Sequence, residues 1–344
     1  MLFRKHIVIL VVIIAAMLIQ GCASNKNNNE KMYTEAFFAM DTVFGLQIPE
    51  SHIYLSAQAI DLVTSYNSLF DKHESSGEVY QINNRVNNHV YVSDGVFELI
   101  TKAVEIAELT DGYFDPTIGA LVDIWDWTAK EVPNDELILD TIKYIDYQGI
   151  SFDAANNRIT FSDSNMQIDL GGIAKGYATK KILNLFEDAG VNSALIASGG
   201  NQYALGKKPD GSYWQIGIIH PREPGAILGS VQIENMAIDT SGDYIRYFIK
   251  DDQRYHHVIN PKTGYPSEGI ISATVITECP VKADAISTAI LAGGLEFAFG
   301  LYKKLSSFEF ILVDEELRIY ISEDMYESFR SADGVNVIVV PQRK

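Results

Sequence analysis

Between Ala194 and Thr277 the chain carries seven short runs of alternating or β-branched residues, with no helical segment between them. They cover residues 194–197, 202–205, 214–219, 228–233, 244–249, 254–258 and 271–277. Parallel neighbours need a crossover of roughly a dozen residues or more, usually helical. Turns as short as these join antiparallel strands. The pattern therefore argues against alternating βαβ units. It predicts an α+β fold of largely antiparallel sheets with several long helices.

The flanking segments supply the helices. Ile53, Ala57, Ile60 and Val63 have helical spacing, which predicts a helix over 53–69. Ser93 and Asp94 precede Val96, Leu99, Ile100, Val104 and Ala107, predicting a capped amphipathic helix that stops at Gly112. Further helices are expected over 134–142, 173–189 (capped by Gly190) and 283–291. Strands are expected over 37–48, 308–313 and 318–321, with a hairpin over 149–168 turning at Ala155-Asn156-Asn157.

The N-terminus has secretory layout. Arg4 and Lys5 precede an apolar run from Ile7 to Ile19, then Gln20-Gly21-Cys22. The run is short for a spanning helix. Gly21-Cys22 resembles a bacterial lipobox, which makes Cys22 the lipidated first residue of the mature chain. The expected division is a leader over 1–21, a polar tether over 22–32 and one catalytic unit over 33–344. The expected location is the extracytoplasmic face of a bacterial cell membrane. The second cysteine, Cys279, then has no intrachain partner, so the fold does not depend on a disulfide.

The formal charge is −18, and the leader would take two of the positive charges with it. Such a surface repels nucleic acid and excludes it as a partner. An anionic substrate then requires a metal or a local cationic pocket.

Three segments carry candidate chemistry. In Asp169-Leu-Gly-Gly-Ile-Ala-Lys-Gly-Tyr177, Gly171 and Gly172 precede a predicted helix, and Lys175 lies in its first turn. Glycines allow close backbone approach, and a helix N-terminus offers free N–H groups to an anion. A diphosphate fits there, although the segment is neither a Walker A loop nor a G-x-G-x-x-G fingerprint. Asp284 and Thr288 stand four apart on a predicted helix and share a face. Oxygen ligands alone suit a hard cation such as Mg²⁺. His256-His257 precedes Val258-Ile-Asn-Pro-Lys-Thr-Gly264, and in a regular strand the two imidazoles face opposite ways.

In this order the motifs resemble the ApbE family of flavin transferases. They are Asp111-Gly-Tyr-Phe-Asp-Pro-Thr-Ile-Gly-Ala-Leu-Val122 with Trp125, Asp169 to Tyr177, Ser198-Gly-Gly200, Thr240-Ser-Gly-Asp-Tyr244, His257 to Gly264, and Asp284 to Thr288. The resemblance runs from about Phe37 to about Ile321. It implies a T-fold-related architecture and an FAD:protein FMN transferase. Such an enzyme moves the FMN half of FAD to a threonine of an acceptor flavoprotein and releases AMP. It implies that Met40, Ala120, Leu121 and Val122 line the FAD pocket and that Asp169, Lys175 and Val258 contact the dinucleotide. Mg²⁺ would be held by the Gly172 carbonyl, Asp284 and Thr288, with Asp284 or His257 as the candidate base.

Departures from the family pattern are local. Asp41 replaces the glycine of Met-Gly-Thr, and Asn201 replaces the aspartate of Gly-Gly-Asp. Asn260 replaces the aspartate before Pro261, and His73 stands where relatives often place an aromatic residue against the flavin nucleotide. The same site could serve an FAD pyrophosphatase yielding FMN and AMP, or a lipoprotein that binds FAD without chemistry.

Overall fold

The computed structural model describes residues 30–305, 307–332 and 335–342. The expected leader over 1–21 and the expected lipidation site Cys22 lie outside the described residues.

A nine-stranded sheet organises the chain. Its strands are β1 (Met32–Ala39), β2 (Thr42–Pro49), β6 (Ala194–Ser198), β7 (Asn201–Leu205), β10 (Met236–Gly242), β13 (Ile270–Thr277), β14 (Glu309–Asp314), β15 (Ile319–Ser322) and β17 (Val337–Val340), in that spatial order. Every pairing is antiparallel except β15 with β17. The antiparallel α+β expectation is met.

Three long helices cover one face: α1 (Tyr54–Phe70), α6 (Ala174–Asp188) and α7 (Pro280–Lys304). The other face is covered by a small sheet of β8 (Trp214–Ile219), β9 (Ile227–Ile233) and β16 (Phe329–Ser331). All eight residues of β13 are buried, because the strand has a core on each side. Ala273 and Val275 face the helices, while Ile271 and Ile276 face the small sheet. A register shift between Ile270 and Ser272 moves Ile271 out of phase with Ala273.

The remaining elements are α2 (Glu78–Asn83), α3 (Asp94–Leu109), α4 (Gly119–Asp123), α5 (Asp135–Ile142), a sheet of β3 (His89–Tyr91), β4 (Ile150–Asp153) and β5 (Arg158–Phe161), and a hairpin of β11 (Tyr247–Lys250) and β12 (Gln253–His256).

Four expectations are corrected. The strand over 37–48 is a hairpin, turned at Met40 and Asp41 with φ of 48° and 56°. Positive φ at both central residues matches the turn to the strand twist, but neither residue advertises it as Asn-Gly would. Helix α1 exists, yet its inward face is Leu55, Ala59 and Val63, while Ile53 is exposed. The strand over 244–249 begins only at Tyr247, as β11, and residues 244–246 belong to its junction with β10. The helix over 283–291 starts at Pro280 and continues to Lys304 through a non-helical Gly294. Pro280 suits a first helical turn, where a missing N–H costs nothing. The turn at 155–157 and the cap at Gly190 (φ 78°) are as expected.

Candidate active site

Helices α6 and α7 meet at Gly176. A Cβ there would lie 2.3 Å from the Pro280 carbonyl oxygen and 2.9 Å from Asp284 Cβ. The close approach lets the Gly176 N–H donate to Asp284 Oδ2 at 2.8 Å. Lys175 Nζ donates to Asp284 Oδ1 at 2.8 Å and to the Gly171 carbonyl at 3.3 Å. The Asp284 side chain is only 2% exposed, so the carboxylate end of this ion pair is nearly dry.

One helical turn on, Thr288 donates its hydroxyl to the Asp284 carbonyl at 3.0 Å. A Cβ on Gly172 would sit 3.2 Å from Thr288 Oγ1, so the Gly-Gly loop abuts this face of α7. The three expected metal-site residues, Gly172, Asp284 and Thr288, are thus brought together.

Strand β10 adds groups that the sequence reading did not single out. Ser241 Oγ lies 2.8 Å from Ser287 Oγ and 3.4 Å from Thr288 Oγ1. Ser287 hydrogen-bonds Asp239 Oδ2, and Asp239 Oδ1 is buried without a hydrogen-bond partner among the described residues. Burial and the neighbouring Asp284 carboxylate push the Asp239 carboxyl up to about 7. Burial opposes the Lys175 charge, but Asp284 and Asp239 hold its ammonium above the usual lysine range.

The donor set fits a hard cation. Asp284, Thr288 Oγ1, Ser241, Ser287 and the unsatisfied Asp239 Oδ1 are all oxygens. No group of three or more His, Cys, Asp or Glu poised for a metal occurs among the described residues. Mg²⁺ tolerates such a sparse set, because it keeps waters and takes substrate phosphate as ligand.

A second cluster adjoins the Gly-Gly loop. Asp169 Oδ1 accepts the Gly171 N–H at 2.8 Å, and Asp169 Oδ2 pairs with Lys72 at 3.0 Å. Lys72 also holds Asp123 at 2.7 Å, tying α4 to the loop. Burial works against the Asp169 charge, but the Lys72 ammonium keeps it below the usual carboxylate range. His73 is exposed beside this group, and its N–H donates to Asp71 Oδ1 at 2.7 Å. In α4, Leu121 is fully buried, while Ala120 and Val122 are partly exposed.

The third cluster comes from the hairpin. His256 is buried and its Nε2 meets the Ser267 carbonyl at 3.0 Å, whereas His257, just past the end of β12, is partly buried. His257 Nδ1 lies 3.3 Å from the Arg246 carbonyl. A carbonyl only accepts, so Nδ1 carries the proton and Nε2 keeps its lone pair. Burial, Arg246 and His256 push the His257 imidazole down to about 3. Arg246 reaches Asp41 at 3.4 Å, beside Met40, whose N–H donates to Asn67 at 2.6 Å. Val258, next to His257, is buried in the core. Two more motifs touch directly: Trp125 Nε1 donates to the Gly264 carbonyl at 3.1 Å, and Lys262 lies 3.7 Å from the Tyr113 ring centroid.

The ApbE family profile matches residues 40–312, a span that contains all three clusters. The chain belongs to the ApbE family. An FAD:protein FMN transferase of Klebsiella pneumoniae is 28% identical over 317 residues, covering 90% of this chain and 98% of the relative. Its counterpart from Treponema pallidum is 29% identical over 264 residues, covering 71% and 72%. The crystal structure of the ApbE protein of Thermotoga maritima superposes with a TM-score of 0.81 at 31% identity, covering 88% of this chain and all of that one. The apo flavinyl transferase ApbE of Pseudomonas stutzeri gives 0.79 at 26%, covering 90% and 100%.

Lys72, Asp239, Ser241, Arg246 and Ser287 are the polar residues at this ApbE site that sequence reasoning passed over. Ser241 lies inside a quoted motif, and Asp239 is two residues before it. Lys72 and Arg246 carry no local signal, since their partners are 97 and 205 residues away in sequence.

Proposed function

We propose that this chain is an FAD:protein FMN transferase, moving FMN from FAD to a threonine hydroxyl of an acceptor flavoprotein and releasing AMP. The observation that carries the reading is the Lys175–Asp284 pair at the Gly171-Gly172 loop. It sets an anion site against an oxygen-ligand cation site in a chain whose ApbE relatives bear that name.

The chain's own groups supply most of the chemistry. The Gly171, Ile173, Ala174 and Gly176 N–H groups are already engaged within the protein, so the helix dipole at the start of α6 and the Lys175 ammonium receive the diphosphate. Asp284, Thr288 and the Gly172 carbonyl would hold Mg²⁺, which would supply Lewis-acid stabilisation of charge on the diphosphate. His257 Nε2 is the better proton acceptor of the two candidates, because both Asp284 oxygens are engaged. Its pKa is held down partly by neighbouring positive charge, which an arriving diphosphate offsets. The acceptor threonine oxygen bonds to the FMN-side phosphorus and its proton passes to His257. AMP leaves with the bridging oxygen.

The test incubates the chain with FAD, Mg²⁺ and a candidate flavoprotein, then weighs the acceptor. A mass gain of one FMN is expected. Free FMN and AMP with no mass gain would make the chain an FAD pyrophosphatase, a reading that His73 favours by removing an aromatic shield. Intact FAD would make it a flavin-binding protein.

Lipidation of Cys22 would place this activity on the extracytoplasmic face of the cell membrane. Cys22→Ser should then leave an unlipidated precursor. A mature chain that begins well beyond Cys22 would refute the anchor.

A further inference from the structure

Lys175 sits where a cation would sit. Its ammonium is 2.8 Å from Asp284 Oδ1 and 3.3 Å from the Gly171 carbonyl oxygen, a carboxylate and a loop carbonyl. The proposed Mg²⁺ ligands are the same carboxylate and the carbonyl of the next residue. Two cations sharing one carboxylate oxygen in a nearly dry pocket repel each other strongly. Leaving Asp284 with neither is also unfavourable, because it is a buried charge.

Lys175 has somewhere else to go. It lies in the first turn of α6, where the helix dipole disfavours a cation and favours an anion. Its side chain is 24% exposed, against 2% for Asp284, so the ammonium end of the pair is the one open to solvent. A diphosphate at the helix start offers the ammonium a new partner as it leaves Asp284.

We infer that Lys175 is an internal stand-in for the metal, so that Mg²⁺ and the Lys175 ammonium compete for Asp284 until a diphosphate draws the ammonium away. The inference rests on the metal reading above and adds a coupling to it. The divalent ion and the nucleotide bind with positive cooperativity through Lys175, and linkage makes the effect reciprocal. The chain without nucleotide therefore holds metal weakly. Its cation site matures only when the substrate's own anion is present.

The test is calorimetric titration of the full chain with Mn²⁺, alone and with saturating ADP as the diphosphate probe. Wild type should bind Mn²⁺ weakly alone and on the order of ten-fold or more tighter with ADP. Lys175→Gln should bind Mn²⁺ alone on the order of ten-fold tighter than wild type, and ADP should add less than it does in wild type. Arg246→Gln separates competition from long-range repulsion, since Arg246 is a nearby cation paired with Asp41 rather than Asp284. It should change Mn²⁺ affinity by no more than about two-fold. Equal tightening in the two variants, or none in Lys175→Gln, would overturn the competition while leaving the metal reading intact. Absence of Mn²⁺ binding by every chain, with and without ADP, would overturn the metal reading and this inference with it. Lys175→Arg gives an independent reading should Lys175→Gln fold poorly. A guanidinium grips the carboxylate at two points and should weaken Mn²⁺ binding below wild type, and stronger binding would count against competition.

Discussion

Gly176 and Asp284 join the two helices of the site through one hydrogen bond, the Gly176 N–H to Asp284 Oδ2 at 2.8 Å. The contact exists only because residue 176 has no side chain. Gly176→Ala would place a methyl carbon 2.3 Å from the Pro280 carbonyl, and backbone cannot rotate out of the way. The helices must part, at an expected cost of about 1–3 kcal/mol, the usual range for overpacking. Thermal unfolding should show a lower Tm and weakened Mn²⁺ binding together. An unchanged Tm would refute the close-packing account.

Asp284→Asn preserves shape and removes the charge that faces both Lys175 and the proposed metal. Transfer activity should fall on the order of 100-fold or more, since Lewis-acid stabilisation is worth several kcal/mol. EDTA should cost wild type a similar factor and cost the variant little further. Full activity of the variant in EDTA would remove the metal from the mechanism.

Local features of this site were legible in the sequence, and long-range ones were not. Asp284 and Thr288 could be paired from helical spacing alone, and the glycine loop before α6 could be recognised from its neighbours. The inward face of α1 begins at Leu55 and Ala59 rather than at Ile53 and Ala57, because Ile53 precedes the helix and is exposed. Helix α7 extends past the predicted 283–291, and past the pair Gly293-Gly294. Ala298, Leu301 and Tyr302 are buried beyond the Gly294 kink, and that packing carries the helix on. Asp239 was invisible because a carboxylate in a buried strand contradicts the pattern that identifies such strands. Its meaning comes from Ser287 and Asp284, more than forty residues away.

His257→Gln should lower transfer by about 10²–10⁴-fold, the usual contribution of a general base. FAD affinity should change far less, because the amide still accepts hydrogen bonds. The wild-type imidazole is pushed down to about 3 by burial, Arg246 and His256, so it remains neutral across pH 5 to 8. The kcat/KM profile, which reports the free enzyme, should show no His257 limb in that range. A limb near pH 6.5 that disappears in His257→Gln would contradict the burial argument.

Asp239 should make stability fall as pH rises. Its folded value is raised to about 7 from an ordinary 3.8, mainly by burial and then by Asp284. Between those two values the folded chain binds more protons than the unfolded one, so stability declines with pH in that window and stays lower above it. Asp239→Asn keeps the shape and cannot ionise. In EDTA, wild-type Tm should drop from pH 5 to pH 8 more than the variant's Tm does. Parallel curves would show that Asp239 ionises as readily folded as unfolded.

His73 should govern how the site divides FAD between transfer and hydrolysis. The residue lies on the exposed loop after α1, with its backbone fixed by Asp71 and its neighbour Lys72 paired to Asp169. That pairing puts the loop that carries His73 at the rim of the proposed dinucleotide site. A tyrosine there would present a broad apolar face on which a flavin nucleotide can stack, excluding water from the diphosphate. Imidazole covers less area and can hold a water by hydrogen bonding. His73→Tyr should therefore raise the ratio of acceptor-bound to free FMN, measured at matched FAD turnover. The backbone N–H to Asp71 survives the substitution, so the loop itself should not move. An identical product ratio in the two proteins would leave His73 as a solvated loop residue with no part in the partition.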